Sequence, residues 1–474
     1  MRLLETYRFS DSFDDIRMVD VVLVYPYINS NSSNSIFRFP PLGLGYLASY
    51  LRKNGFSVNI VDATFIGEAA AIQLVKESQP KIIGVYSMFT LKEATIRFAR
   101  ALNGSSELII VGGPLPTVDP ASYLEYFDIV AVGEGEETLL DIVKKKKFGE
   151  IPGIMFREQD RRLLRSFEKG GEIVKTVVRT PLENLDSIPL PSRDLFDNEG
   201  YLQYYRKRRN STVTSIITSR GCPFACDFCS HPIFGSSFRE RSSSNIADEV
   251  EQVLKLGYER VFFQDDCFTL TKKRVIQFCD EVDRRGLKFG WECLSRVDNL
   301  DKETALRMRE AGCDQVFFGL ESGNERVLKI MNKSATPDQG RRAVEAAHEA
   351  GLKTGAFFIF GYPGDDDESM LETLRFASRL PLDYLGFTLP YPIPGTPLHE
   401  RVKNSMMEGN PEPQHKGLIQ HQLIYYSDFS EVKLKFGIGK AMVQHYLGRW
   451  LGPVAPIVVF PFEALTDSIF RWLK

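Results

Sequence analysis

No cysteine precedes Cys222 in this 474-residue chain, and no histidine precedes His231. The first absence excludes thiolate metal sites and disulfides upstream of that point, and the second excludes an imidazole ligand there. Charge of one sign is also missing: 59 basic against 62 acidic residues leave a net of −3, which gives no global case for nucleic acid as a partner. No apolar run reaches the length of a bilayer span. The nearest approach, Trp450–Phe462, is short and carries Pro453, Pro456 and Pro461, so a packed C-terminal segment is expected ahead of an interfacial membrane contact. Met1–Tyr7 is too polar for a secretory signal, and the seven cysteines, all between 222 and 313, form no disulfide pattern. A reducing, cytoplasmic setting is the expectation.

What is present begins with alternation. Apolar runs at Val21–Tyr25, Ser57–Val61, Ile82–Tyr86, Leu108–Val111 and Ile129–Val132 predict buried parallel strands with amphipathic helices between them. A doubly wound, Rossmann-like α/β domain over residues 1–147 follows. Ligands of such folds lie at the carboxyl ends of the strands. The residues there are Tyr25-Pro26, Ser87-Met88, Gly112-Gly113-Pro114 and Gly133-Glu134-Gly135-Glu136, small or turn-forming types that let a large ligand approach the backbone. A dinucleotide is excluded, because no G-x-G-x-x-G follows the first strand. In its place stand a polar loop, Asn29–Asn34, and Phe39-Pro40-Pro41-Leu42-Gly43-Leu44-Gly45 opening a helix. Residues 148–210 read as a small hairpin (Gly153–Arg157, Arg161–Ser166, Ile173–Arg179) and a proline-punctuated linker.

The chemistry is concentrated in Thr218–Ser230, where Cys222, Cys226 and Cys229 form C-x3-C-x2-C directly after a strand-like run. Three thiolates on one loop can hold three irons of a cubane [4Fe–4S] cluster and leave the fourth iron without a protein ligand. A zinc site completed by His231 is the alternative, but Cys229 and His231 stand too close for the usual two-pair spacing. Cys267, Cys279, Cys293 and Cys313 are scattered and read as small hydrophobes. Lys144–Lys147 and Arg206–Arg209 read as solvated faces. Strands recur near 214–218, 260–264, 288–293, 315–319, 354–360 and 384–389 with amphipathic helices such as Ala247–Leu256 and Thr304–Ala311, which predicts a partial (β/α)6 barrel over 211–399. Polar groups gather at the strand ends: Gln264-Asp265-Asp266, Glu292 with Ser295-Arg296, Glu321-Ser322, Gly361–Gly364 and Pro390-Tyr391-Pro392. Residues 400–474, with a mixed helix near Glu431–Leu451, read as a helical cap.

The cysteine spacing, with Phe228 before the last cysteine, resembles the signature of the radical S-adenosylmethionine (SAM) enzymes. With Pro-Pro-Leu-Gly-Leu-Gly, the paired glycines after the fourth and fifth strands and the linker Leu185–Asp194, residues from about 20 to 400 resemble the class B cobalamin-dependent radical SAM enzymes. That resemblance implies a [4Fe–4S] cluster on Cys222, Cys226 and Cys229, SAM on its open iron, and methylcobalamin in the first domain. It implies SAM contacts from Phe228, Phe263, Gln264, Asp265, Glu292, Ser295, Arg296, Glu321, Ser322, Phe360 and Gly361, with Arg296 pairing with the SAM carboxylate and Phe228 and Phe360-Gly361 cradling adenine. It implies cobalamin contacts from Pro41, Leu42, Gly43, Ser87, Met88, Gly112, Gly113, Pro114, Gly133, Glu134 and Gly135, and Tyr391 is the candidate catalytic side chain.

One departure is legible. The Asp-x-His-x-x-Gly motif of the wider cobalamin-binding family is missing, so cobalamin is expected without a histidine axial ligand, its lower face empty, watered or covered from Ser87–Thr90. The implied function is C-methylation of an unactivated sp3 carbon, one SAM yielding the 5′-deoxyadenosyl radical and a second remethylating cobalamin, with an external one-electron donor such as ferredoxin or flavodoxin. The expected substrate is a protein or peptide side chain, as in methyl-coenzyme M reductase. A lipid or tetrapyrrole, with methylation, cyclisation or carbon–carbon coupling, is the alternative outcome, and a non-catalytic cobalamin sensor is the alternative class. A methylthiolating enzyme would carry a second cysteine trio upstream, which is absent.

Overall fold

A computed structural model describes residues 19–27, 38–158, 171–209, 211–229, 234–407, 423–452 and 455–473, the side chains of 455–461 apart. The chain divides into two compact units. The first holds residues 1–30, 43–180 and 188–197, and the second holds 31–42, 181–187 and 198–474.

In the first unit seven strands form one sheet: β1 (Val21–Tyr25), β2 (Val58–Asp62), β3 (Ile82–Tyr86), β4 (Leu108–Gly112), β5 (Ile129–Ala131), β6 (Ile154–Glu158) and β7 (Glu172–Lys175). Their spatial order is β2-β1-β3-β4-β5-β6-β7. β1 to β5 pair in parallel. The apolar runs form strands because helices cover both faces: Val22 and Val24 on β1, Ile83 on β3 and Val111 on β4 are fully buried, with Phe98 and Tyr123 packed against them. The hairpin read from the sequence as part of the linker extends this sheet instead, β6 antiparallel to β5 and β7 antiparallel to β6. Its outer strand carries exposed Glu172 and Lys175, charges that suit an open sheet edge. Chain direction across the sheet reverses between β1 and β3, which opens the crevice where ligands of doubly wound folds bind.

The second unit is built on β8 (Val213–Ile216), β11 (Arg260–Phe263), β12 (Gly290–Ser295), β13 (Cys313–Glu321), β14 (Lys353–Ile359) and β15 (Tyr384–Thr388), in that spatial order. All five pairings are parallel, the geometry of a partial barrel. A short clasp, β9 (Ser219–Arg220) antiparallel to β10 (Arg239–Glu240), stands beside it. Helices after the strands begin on side-chain caps written in the sequence: Ser242, Asp301, Thr336 and Asp366 each accept from a backbone N–H of the first turn. On one face of the sheet Phe263, Phe268, Phe278 and Trp291 interlock between β11, β12 and the Lys272–Arg284 helix. On the other, Phe262, Phe317, Phe357 and Tyr384 meet ring to ring. Phe39 stacks on Phe262 at 5.5 Å, held there by Tyr205, whose hydroxyl donates to the Arg38 carbonyl at 2.8 Å.

The basic run Arg206–Arg209 is not wholly a solvated face. Arg208 lies over the Tyr204 ring at 4.3 Å, and Arg209 reaches inward to Glu292 at 3.4 Å. At the C-terminus the helices Glu431–Leu451 and Ala455–Trp472 are joined by the buried pair Lys440–Asp467 at 2.6 Å and reach the helix Asp367–Arg379 through Lys433–Asp367 at 2.7 Å and Arg379–Glu463 at 3.0 Å. Among the described residues no helix is long and apolar enough to cross a membrane.

Candidate functional site

The cysteine loop leaves the sheet between β8 and β10, and its base is fixed before any cysteine is reached. Asp265, buried at the end of β11, accepts from the backbone N–H of Thr218 at 2.6 Å and of Ser219 at 3.2 Å, and from Arg274 at 3.1 Å. Arg241 closes the same corner by donating to the Ile217 carbonyl at 2.8 Å and to Glu249. Gly221 then turns with φ +83°, where a Cβ would overlap the Ser237 carbonyl oxygen. Only glycine fits both the left-handed turn and the close approach.

Beyond Gly221 the loop is gripped from a segment without a regular pattern, Met331–Ser334. The Asp227 N–H donates to the Met331 carbonyl at 2.9 Å, and the Asn332 side chain donates to the Ala225 carbonyl at 2.7 Å. From the Pro397–Val402 helix the Leu398 N–H donates to the Asp227 carbonyl at 3.0 Å, and Arg401 pairs with the Asp227 carboxylate at 2.8 Å. Asn332, Ser334 and Glu321 all hold positive φ. Non-glycine residues in that region are uncommon, and here they surround the cysteines.

Two cations face the thiols. Arg296 lies over the Phe224 ring at 3.5 Å, with Nη1 3.9 Å from the Cys226 sulfur, while Asp298 and the Lys333 carbonyl occupy its other donors. The Lys333 ammonium lies 5.9 Å from the Phe228 ring centre and 3.0 Å from Glu321. Burial works against its charge, but Glu321 and the Cys226 sulfur outweigh that and raise its pKa. Burial raises the Cys222 and Cys226 thiols, and Arg296 and Lys333 counter it. Lys333, Asn332, Asp227 and Arg401 escaped the sequence reading. The Met-Asn-Lys-Ser stretch has neither strand nor helix period, and only the polar residues after a helix end could have drawn notice.

The donor set suits a cubane. All three cysteines are half-buried. Among the described residues no three His, Cys, Asp or Glu side chains converge as ligands of one metal ion. Thiolates of a cubane bind three different irons and need no common point, whereas a zinc site does. His231 lies outside the described residues.

Several expected SAM contacts are otherwise engaged. Phe263 belongs to the aromatic layer between sheet and helix, since alternation along β11 turns its ring away from Phe262. Asp265 spends its carboxylate on the base of the loop. Glu292 is buried with Arg209, and burial raises its pKa. Ser295 is hydrogen bonded to Thr269 at 2.6 Å, and Ser322 to Thr373 at 3.0 Å. Phe360 packs on Phe387 and Phe470, and a Cβ on Gly361 would strike Leu434 at 2.7 Å, so this pair seats the C-terminal helices. Gln264 and Asp266 stand exposed at the end of β11. Phe228 packs edge-on to Tyr362 at 6.4 Å, and half-buried Tyr391 follows β15, burial raising its phenol.

In the first unit the crevice between β1 and β3 is walled by Tyr25, Tyr27 and Tyr86, with ring centres 5.8 Å and 5.6 Å apart. Ser87 turns inward to Tyr123 at 2.7 Å and Thr95 at 3.1 Å, leaving its backbone rather than its hydroxyl to a ligand. Gly113, at φ +119°, lies so close that a Cβ would overlap the Ser87 carbonyl. A Cβ on Gly43 or Gly133 would meet nothing within 4 Å, and on Gly135 only Leu47, at 3.0 Å. Open space over Gly43 and Gly133 fits a large, flat ligand against the backbone. Met88, Gly112, Pro114 and Glu134 are half-buried around it, while Pro41 and Leu42 are buried and fall with the second unit.

Residues 216–377 match the radical SAM superfamily, and residues 33–143 match the B12 binding domain. The chain is 32% identical over 404 residues to an uncharacterised methyltransferase of Pyrococcus horikoshii, covering 83% of this chain and 85% of that one. It is 28% identical over 400 residues to the anaerobic magnesium-protoporphyrin IX monomethyl ester cyclase of Cereibacter sphaeroides, covering 81% of this chain and 64% of the relative. In fold it is similar to the radical SAM methyltransferase TsrM of Kitasatospora setae with cobalamin and a [4Fe–4S] cluster bound, with a TM-score of 0.67 at 21% identity over 81% of this chain and 74% of that one. It is similar also to the cobalamin-dependent radical enzyme OxsB with aqua-cobalamin and SAM bound, with a TM-score of 0.72 at 21% identity over 96% and 72%. The chain belongs to the class B cobalamin-dependent radical SAM enzymes and, within them, to the methyltransferases. Its cofactors are a [4Fe–4S] cluster, SAM and cobalamin.

Proposed function

We propose that this enzyme transfers a methyl group to an unactivated sp3 carbon, consuming two SAM per product, and that its substrate is a small molecule. The cysteine loop with two cations turned to it carries the reading. When bound, the three cofactors supply a reducible iron site, a source of a carbon radical and a methyl donor. Cys222, Cys226 and Cys229 would hold the cluster. Arg296 and Lys333 put positive charge where thiolates must form, and Asp265 with Arg274 fixes the strand end from which the loop departs. In the other unit the glycines at the strand ends would carry the corrin against the backbone, with no histidine from that unit beneath the cobalt.

For substrate class, the Cereibacter sphaeroides relative is named for a magnesium tetrapyrrole, which supports a small molecule over the peptide side chain favoured by sequence alone. The same relative is a cyclase, so ring formation is the second reading. Anaerobic turnover of the cluster-reconstituted protein with tetrapyrroles, lipids and peptides decides between them. A mass gain of about 14 Da, with one 5′-deoxyadenosine and one S-adenosylhomocysteine per product, supports methylation, and an unchanged carbon count with one SAM consumed supports cyclisation. Cys226→Ala abolishes SAM cleavage in either case, whereas a non-catalytic sensor has no cleavage to lose.

A further inference from the structure

The two C-terminal helices bury charged and polar side chains beside their apolar ones and expose large apolar side chains. Helices on a globular surface bury apolar residues and expose charge. Here Lys433, Lys440, Gln444 and His445 of the Glu431–Leu451 helix are buried, as are Glu463 and Asp467 of the Ala455–Trp472 helix. Ion pairs account for the buried charges: Lys433 with Asp367 at 2.7 Å, Lys440 with Asp467 at 2.6 Å, and Glu463 with Arg375 at 3.3 Å. Large apolar side chains form a stripe on each outer face. On the first helix Val432, Val443, Tyr446 and Trp450 are exposed, spaced at whole turns along one side of 21 residues, a length of about 30 Å. On the second, Leu465, Ile469 and Trp472 repeat at i, i+4, i+7. Trp450 is 82% exposed and Trp472 81%.

We infer that this outer face is a docking surface for an anionic lipid bilayer, on which the helices lie in the plane of the headgroups. The arrangement of charge selects the occupant. Both helices end in the same dipeptide, Arg449-Trp450 and Arg471-Trp472, pairing an indole that prefers the bilayer interface with a cation that meets lipid phosphate. The basic residues bordering the apolar stripe, Lys435, Arg449 and Arg471, are about half exposed, while the acids of the second helix point inward. Their partners Glu431, Asp383 and Glu368 form surface pairs, which are weak enough to exchange for headgroups. A second copy is the poorer occupant, since a two-fold contact would set the same basic border against itself.

The chain's own tryptophans report the event. It holds three, and Trp291 is fully buried in the aromatic layer, so a vesicle-dependent blue shift arises from Trp450 and Trp472. Full-length protein is titrated with phosphatidylcholine vesicles with and without one-third phosphatidylglycerol, reading flotation and tryptophan emission. Expected are flotation and a blue shift with the anionic vesicles, and an affinity at least about tenfold weaker in Trp450→Glu/Trp472→Glu. Val443→Gln, which keeps both indoles and adds no charge, is expected to weaken binding too, and the thermal midpoint of each variant shows whether it has folded. Absence of flotation by the native protein, or flotation undiminished in folded variants, overturns the inference. So does a native dimer in light scattering that the same variants dissociate.

Discussion

The Lys333 ammonium lies 3.0 Å from the Glu321 carboxylate, both buried beside the cysteine loop, and Glu321 takes a left-handed turn at φ +64° to present it. Removing one partner strands the other. Lys333→Met is therefore expected to destabilise the protein by about 3–5 kcal/mol, since an unpaired carboxylate remains in the interior. Lys333→Met/Glu321→Gln removes both charges and is expected to recover most of that loss. Denaturant unfolding of the two variants checks the order, and a double variant no more stable than the single would sink it.

Asp265 and Phe263 lie two residues apart at one strand end and are expected to part in their effects. Asp265→Ala frees the amides of Thr218 and Ser219 and leaves Arg274 a partner short, so the cysteine loop loses its base. Iron bound per chain after reconstitution should fall well below that of the native protein. Phe263→Leu thins the aromatic layer and should cost about 1–3 kcal/mol, with native iron content and SAM affinity. Iron analysis and SAM titration separate the two, and a SAM affinity that falls in Phe263→Leu would restore Phe263 as a cofactor contact.

What could be read in the sequence followed from burial. β1 and β3 match their apolar runs residue for residue, β4 and β5 differ by a residue at one end and β2 is shifted by one residue, because a parallel strand covered on both faces is a continuous run of apolar residues. The helix Glu431–Leu451 stood out equally well. Side-chain direction at the strand ends did not. Phe263 and Asp265 fall where cofactor contacts are expected, yet the pleat sends one into the outer layer and a backbone corner claims the other. Gly361 looks like a ligand cradle in sequence, and the structure adds a close approach of Leu434, which lies 73 residues further on and is invisible to local pattern. Lys333 sits in an irregular turn, where no periodicity marks a buried charge.

The absence of histidine before His231 has a spectroscopic consequence. Cobalamin held by the first unit should show no nitrogen superhyperfine splitting from a protein imidazole in its cob(II)alamin EPR spectrum. Labelling the protein with 15N-histidine leaves that spectrum unchanged if this is right, and a change in splitting on labelling would refute it.

Asp365 couples stability to pH. Burial pushes its carboxyl up to about 6, and the hydrogen bonds it accepts from Ser369 and from the Tyr362 N–H only partly offset this. A carboxyl raised in the folded state contributes stability that is complete below its unfolded pKa near 3.8 and is lost as pH rises through about 6. Asp128 is raised to the same value, also by burial, so the native protein's own pH profile mixes the two. Comparing Asp365→Asn with the native protein isolates one of them. The amide oxygen can still accept from Tyr362, and its nitrogen can donate to the Ser369 hydroxyl, which turns to the Asp366 carbonyl 3.1 Å away. The variant carries no charge at any pH, so its stability relative to the native protein should rise by about 3 kcal/mol between about pH 3 and pH 7.5, roughly half of it above pH 5. Thermal midpoints of both proteins across that window measure the difference. A difference that stays flat would mean that Asp365 is ionised throughout, its two donors compensating the burial in full.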